Sequence, residues 1–277
     1  MLFDSHTHIN NEDYSENEVA ELAKKIEASN VSYVMDVGFD LASSAVAVKH
    51  SEKYPWCYAA VGCHPHEARN MDQEQLVMFK GLAKKGKVKA IGEIGLDYFK
   101  NHSPKEEQQI WFRHQIQLAN ELKLPIIIHD REANQDVLNI LKEEGAFSKE
   151  RYSWFPQRKG HNGELLKDAR VLLHCYSGSR ELAEQYIKLG ATISIAGPIT
   201  YKNNRKGIEV VAAIPIEFLL IETDAPYLTP EPFRGRQNMS PYVAYTAEKL
   251  AEIKEISFEE VARITCNNAK VFFGIDD

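Results

Sequence analysis

The sequence predicts an α/β protein of the (β/α)8 (TIM) barrel class. Strand-like and helix-like segments alternate along all 277 residues, and the strand-like runs number eight. A helical pattern follows each of them, the rhythm of a parallel sheet closed on itself. Polar, chemistry-bearing residues follow many of the strands. An open doubly wound sheet would gather them at one switch point behind a Gly-rich turn, and no such turn follows the first strand.

The elements justify this in order. The first strand lies within L-F-D-S-H-T-H-I-N (2–10), where an apolar pair leads into two histidines. Ser15 and Glu18 have capping-box spacing, so a helix runs from there to about residue 29. A strand at 31–37 and a helix at 41–53 follow, then a strand at 57–62 and a helix at 72–84. The fourth strand is 88–94. The next helix, 104–122, has Ser103 as its expected N-cap and Pro104 at its first position. The fifth strand, 125–129 (P-I-I-I-H), is continuously apolar, as strands buried on both faces are. A helix at 132–144 follows, and the remaining strands are 171–174, 191–195 and 218–221, with helices at 179–189 and 206–213. Helices at 241–254 and 257–273 end the chain. No repeat or linker divides it, so a single barrel domain over 1–277 is expected. The segment 147–168 breaks the rhythm. It is far longer than the usual helix-to-strand connection of about 2–6 residues. It reads as an insertion on the bottom of the barrel, remote from chemistry, and His161 within it is not expected to be a ligand.

A hydrophobic fraction of 44% and a charged fraction of 26% suit a large buried core. The net charge of −7 excludes a protein that coats duplex nucleic acid through a general basic field. Four cysteines without C-x-x-C spacing argue against a disulfide framework or zinc knuckle. With no apolar run of about 20 residues to span a bilayer, a cytoplasmic protein with reduced thiols and no membrane association is expected. No obligate protein partner is evident.

The ten histidines are the informative residues. His6 and His8 end the first strand. Residues i and i+2 of a strand share a face, so both can close on one ion. His64 and His66 (G-C-H-P-H) follow the third strand, and Glu93 (G-E-I-G-L-D-Y) ends the fourth. His129 (I-H-D-R) ends the fifth, His174 (H-C-Y-S-G-S) the sixth and Asp224 (E-T-D-A-P) the eighth. In a barrel these ends meet on the rim where active sites are built. A mixed nitrogen and oxygen donor set suits zinc, manganese, cobalt or iron, and with added waters magnesium. Six ligands exceed one tetrahedral site, so two divalent ions are expected. His6, His8, Glu93 and Asp224 form the first site, and Glu93, His129 and His174 the second, with Glu93 bridging. Such a pair activates water and stabilises the attacking and leaving oxygens of a phosphoryl displacement. Asp224 has a second expected role as general base, a weak one beside two cations unless the water is itself acidified. Arg131, two residues past His129, suits a phosphate. His64 and His66 are expected to contact the scissile phosphate or to hold ligands in place. Tyr98 is expected to stack on a base. Arg234 and Arg236 lie in the loop after the eighth strand, where barrels often bind phosphate.

Together the stretches 2–10, 62–66, 92–98, 125–131, 174–178 and 221–228, with R-G-R-Q-N at 234–238, resemble the TatD family of metal-dependent deoxyribonucleases, within the amidohydrolase-type barrels. The resemblance covers the chain from end to end. It implies a magnesium-type divalent-metal hydrolase with exonuclease activity on single-stranded DNA or DNA ends. It supports the ligands already assigned from strand-end placement. The carboxylated lysine that bridges metals in other amidohydrolase-type barrels has no evident place, and Glu93 takes the bridge. The chain departs from the pattern in its long insertion and in Met239-Ser240-Pro241 after Asn238, where an acidic residue and Pro are more usual. Two other readings use the same residues. One is a metal-dependent ester or amide hydrolase, for example of the D-aminoacyl-tRNA deacylase kind, since fold does not fix the bond cleaved. The other is a non-catalytic barrel whose metals are structural.

Overall fold

The computed structural model describes residues 1–156, 158–160 and 163–276. Strands β1 (Leu2–Thr7), β2 (Val31–Val37), β3 (Cys57–Val61), β4 (Val88–Asp97) and β5 (Ile126–Arg131) come first. The two-residue strands β6 (Arg158–Lys159) and β7 (Leu165–Leu166) form a separate antiparallel hairpin. Then come β8 (Val171–Leu173), β9 (Thr192–Ile195) and β10 (Leu219–Ile221). One eight-stranded sheet runs in the order β1-β2-β3-β4-β5-β8-β9-β10. Each neighbouring pair in it is parallel.

Helices α1 (Glu16–Glu27), α2 (Leu41–Lys53), α3 (Gln73–Leu82), α4 (Lys105–Leu122) and α5 (Asn134–Glu143) wrap the first half. The short α6 (Lys149–Ser153) lies in the insertion, and α7 (Arg180–Lys188), α8 (Arg205–Ala213), α9 (Val243–Lys254) and α10 (Phe258–Phe273) complete the outer layer. The Ser15–Glu18 capping box is present as the spacing predicts. Ser103 is different: α4 is entered at Pro104 without a side-chain cap. The Ser103 hydroxyl is engaged elsewhere, donating to the His66 carbonyl at 2.7 Å and accepting from the Arg69 amide at 3.0 Å. It thereby ties the loop after β3 to the loop after β4. Among the described residues no helix is long and apolar enough to cross a membrane.

The seam between β10 and β1 is closed largely by polar side chains. The Asp4 carboxylate, fully buried, accepts from the Thr223 amide at 2.8 Å and the Thr223 hydroxyl at 2.6 Å. The Ser5 hydroxyl donates to the Ile221 carbonyl at 3.0 Å. Above them the Asp224 amide donates to the His6 carbonyl and the His8 amide to the Ala225 carbonyl, at 2.9 and 2.8 Å. The ends of the first and last strands are thus locked together where their functional side chains emerge.

Strands β4 and β5 extend further than the sequence pattern suggests, to Asp97 and Arg131, which pair with each other in register. The extra length is made possible by Gly95, at φ +146°, where a Cβ would stand 1.9 Å from the His129 carbonyl oxygen. The inner cluster takes Phe3, Met35, Ala60, Ala90, Ile127, Leu172 and Leu220 from the strands. Cys266, Ala269, Phe272 and Phe273 of α10 join that cluster, so the helix plugs the end of the barrel at which the strands begin.

The insertion lies at that same bottom end. Its anchor is Arg151, whose side chain is fully buried. Its guanidinium donates to the carbonyls of Ala169 at 2.7 Å, Leu124 at 2.9 Å and Arg170 at 3.3 Å, and to the Asn120 side chain at 2.7 Å. Those carbonyls precede β5 and β8. Burial pulls the Arg151 guanidinium down to about 9, yet it keeps its charge at neutral pH. His161 lies outside the described residues. Replacing Arg151 by Met strands these buried acceptors, a loss of about 3–5 kcal/mol. Urea unfolding of Arg151→Met is expected to show a correspondingly lower midpoint at unchanged slope.

Candidate metal centre

The strand ends bring the predicted ligands to one point. His6 Nε2 and His8 Nε2 are 3.3 Å apart. Glu93 Oε2 lies 3.5 Å from His6 Nε2 and 3.7 Å from His8 Nε2. Asp224 Oδ1 lies 3.8 and 3.4 Å from the same two atoms. A tetrahedral ion with bonds of about 2.0–2.1 Å has donor-to-donor edges of about 3.3–3.4 Å. Two of the five edges match that spacing and the other three exceed it by about 0.1–0.5 Å, and the donors are of the right chemical type.

The other oxygen of Glu93 faces a second set. Oε1 is 2.7 Å from His129 Nδ1 and 2.7 Å from His174 Nε2. Those two nitrogens are 3.4 Å from each other. Both short contacts are hydrogen bonds, ring N–H to carboxylate, so protons stand where a cation can replace them. His64 joins this side, with Nε2 3.5 Å from Glu93 Oε1. His64 therefore stands beside Glu93, where it can hold that carboxylate in place, one of its two expected roles, or itself act as a candidate ligand of the second position. His66 does not reach Glu93 but points at Asp97, 2.8 Å away.

Charge supports a cation at each position. Burial pushes the Glu93 carboxyl up, but His174 and His64 with the two hydrogen bonds outweigh this and hold it well below the usual carboxylate range. Burial pulls His8 down, and Asp224 and Glu93 outweigh it, holding it up at about 9. Burial likewise opposes protonation of His174, and Glu93 with Glu222 reverses that. His64 goes the other way, far down, because burial exceeds the pull of Glu93. Asp224 sits at φ +57° and Cys175, beside His174, at φ +44°. Both are left-handed non-glycine positions of the kind that cluster at functional sites.

Two acids missed at the sequence level complete the centre. Asp97 is buried, with Oδ2 2.8 Å from His66 Nε2 and 3.4 Å from His129 Nε2. Its second oxygen accepts the Lys100 amide at 2.7 Å. Burial raises this carboxyl, but the hydrogen bonds from His129, Lys100 and His66 prevail and hold it far below the ordinary value. Glu222 is fully buried behind His174, 3.4 Å from Nδ1, and accepts the Cys175 amide at 2.6 Å. Carboxylates of this kind orient a ligating imidazole and raise its basicity. The available signal was position: both follow a strand within a motif already singled out.

The expected substrate contacts divide. Arg131 ends β5 on the rim, its guanidinium 4.3 Å from the centre of the Phe99 ring. Arg234 lies 4.3 Å over Tyr201. It lines a pocket of about 450 Å³ with Tyr201, Asn204 and Glu231, in the loops after β9 and β10. Arg236 stands beside Phe233 in the same loop, 5.7 Å from its ring centre. Tyr98 is engaged away from the centre: its hydroxyl donates to Asp136 and accepts from Gln109, both at 2.7 Å.

A parallel (β/α)8 barrel whose rim gathers five imidazoles and two carboxylates in this way defines a metal-dependent hydrolase. The chain belongs to the TatD-related DNase family, whose model matches residues 3–274. It is 45% identical over 276 residues to a Bacillus subtilis protein named uncharacterized metal-dependent hydrolase YabD, covering all of both chains. It is 30% identical to the 3'-5' ssDNA/RNA exonuclease TatD of Erwinia amylovora, covering 92% of this chain and 93% of that one. Among solved structures, YJJV, a TatD homologue from Escherichia coli, superposes with a TM-score of 0.85 at 28% identity, covering 99% of this chain and 98% of that one.

If Asp97 orients His129, removing it costs metal affinity rather than fold. Asp97→Ala is expected to bind zinc or manganese about 10- to 100-fold more weakly in calorimetric titration. The far-UV spectrum should be that of the parent.

Proposed function

We propose that the protein is a divalent-metal-dependent exodeoxyribonuclease that removes nucleotides from single-stranded DNA or DNA ends. The observation that carries this reading is the split of the Glu93 carboxylate, one oxygen towards His6, His8 and Asp224 and the other towards His129 and His174. That arrangement suits a bridging ligand between two ions, with Asp224 and the histidines filling the remaining positions. Divalent ions held there would supply Lewis acidity, neutralising phosphate charge and acidifying water. Magnesium, manganese and zinc all suit the donor set.

The chain's own groups do the rest. Arg131 meets the non-bridging oxygens of the phosphate as a planar fork, and Arg234 reaches the neighbouring backbone from the loop after β10. Asp224 is largely but not fully enclosed, its side chain 14% exposed; burial raises its carboxyl, but His8 and its neighbours more than offset this and hold it below the ordinary value. It stays ionised and accepts the proton of an attacking water only when that water is strongly acidified. The Erwinia relative's name, an exonuclease on ssDNA or RNA, supports the substrate class. The four free cysteines fit a cytoplasmic setting.

The test is digestion of end-labelled single-stranded DNA with added magnesium, manganese or zinc. Stepwise shortening is expected in the parent and none in Glu93→Ala or Asp224→Ala. Arg131→Ala should lose about 10- to 100-fold in kcat/KM on DNA, as loss of a charge-assisted contact of about 1.5–3 kcal/mol implies. An ester or amide hydrolase would keep nearly its full rate in Arg131→Ala, and that result would reject the phosphodiester reading.

A further inference from the structure

We propose that Phe99 and Tyr227 are base-stacking platforms on opposite sides of the metal centre, and that they make an unpaired nucleic-acid strand the ligand of this rim. The inference rests on the nuclease reading for the phosphate held between them. Its own support is the placement and exposure of the two rings.

Among the described residues, the exposed large hydrophobic side chains include two aromatic rings. They are Phe99, 52% exposed, and Tyr227, 54% exposed. Both lie on the rim. Single exposed hydrophobic side chains are ordinary on a protein surface; what sets these two apart is that each is an aromatic face on the rim where the site is built. Phe99 comes two residues after Asp97, the carboxylate that contacts His129 and His66. It therefore stands on the second-ion side. Tyr227 comes three residues after Asp224, and its ring centre is 6.4 Å from that of His8. It stands on the first-ion side.

Each ring is held in place without being covered. The Arg131 guanidinium lies 4.3 Å from the centre of Phe99. Ring and cation thus form one surface, with a face for a base and a charge for the adjoining phosphate. The Tyr227 hydroxyl accepts from the Asn11 side chain at 3.0 Å, which fixes the ring at its edge. The neighbouring Tyr98, by contrast, is tied by its hydroxyl to α4 and α5. A base inside a duplex is already stacked on both faces and offers nothing to such a ring. A splayed single strand offers a face at every residue, whatever its sequence. The rings thus select for unpaired ends on either side of the reacting phosphate and are indifferent to which base is present.

The experiment measures binding apart from cleavage. A fluorescein-labelled oligo-dT strand with hydrolysis-resistant phosphorothioate linkages is titrated by anisotropy into protein with Glu93 intact, which leaves the rim unchanged and suppresses cutting. With that strand Phe99→Ala and Tyr227→Ala should each weaken binding about 5- to 100-fold. Phe99→Tyr and Tyr227→Phe, which keep the rings, should bind like the parent. On an abasic strand of the same length the gap between parent and alanine variants should close. Equal affinity of parent and alanine variants for oligo-dT, tighter binding to a blunt duplex than to the single strand, or no binding by the parent overturns the proposal. The two readings fail separately. Ring-dependent binding in a protein that cuts no DNA removes the nuclease reading alone, and stepwise cutting with ring-independent binding removes the stacking proposal alone.

Discussion

The structure depends on one buried carboxylate. Glu93 is 4% exposed and surrounded by His6, His8, His64, His129 and His174. An ionised acid so far from water is tolerated only when opposite charge and hydrogen bonds enclose it. Here they come from the ends of four strands, β1, β3, β5 and β8, or the loops directly after them, so the whole rim is arranged about one group. Its delivery depends on close packing beneath it. A Cβ at Gly92 would stand 2.6 Å from Cβ of Ile127, so β4 and β5 approach at a distance that only glycine allows. A change there would move Glu93 away from the imidazoles on both sides at once.

The seam of the barrel follows from the same requirement. His6 and His8 belong to the start of the chain and Asp224 to the end of the last strand. Their donor atoms meet because Asp4, Ser5 and the backbone of His6 and His8 are bonded to residues 221–225. Burial drives the Asp4 carboxyl up to about 7, against the pull of the Thr223 and Ser240 hydroxyls. A buried acid in an apolar barrel is a stability cost that a Leu or Val would avoid. It is retained where it sets register, since the backbone contacts of His6 with Asp224 lie directly above it.

Most of the site was legible because it is built on strand ends, and strands can be located from their apolar runs. His6, Glu93, His129 and Asp224 each follow or end such a run, and a barrel topology then leaves only one place for them to meet. What escaped was whatever depends on side-chain direction beyond the strand. Asp97 and Glu222 looked like ordinary motif acids, and nothing in spacing says that one backs His129 and the other His174. Tyr98 and Phe99 are adjacent in the turn after β4, where strand alternation no longer assigns a side. The pattern could not say which faced the rim, because that depends on β4 continuing to Asp97 rather than stopping near residue 94. Ser103 had the residue type of an N-cap, but a tertiary bond to the loop after β3 outcompeted the local one. In the insertion, length and position on the bottom were readable from the rhythm of the chain. The role of Arg151 was not, since a lone arginine in a polar stretch reads as a solvated charge.

The two ends of the barrel carry opposite physical burdens, and this explains the insertion. At the top, buried acids, crowded imidazoles and left-handed backbone at Cys175 and Asp224 all raise the free energy of the folded chain. Such strain persists only where the rest of the fold is firmly closed. The bottom supplies that closure. There Phe273 stacks on Phe3 and Phe272 packs edge-on against Phe273 in the floor. Arg151 gathers carbonyls from the approaches to β5 and β8, and the Arg170 guanidinium reaches the Phe272 carbonyl at 2.5 Å. Strands β5 and β8 are the ones that carry His129 and His174 to the rim. The insertion thus braces, from below, the two strands that carry His129 and His174.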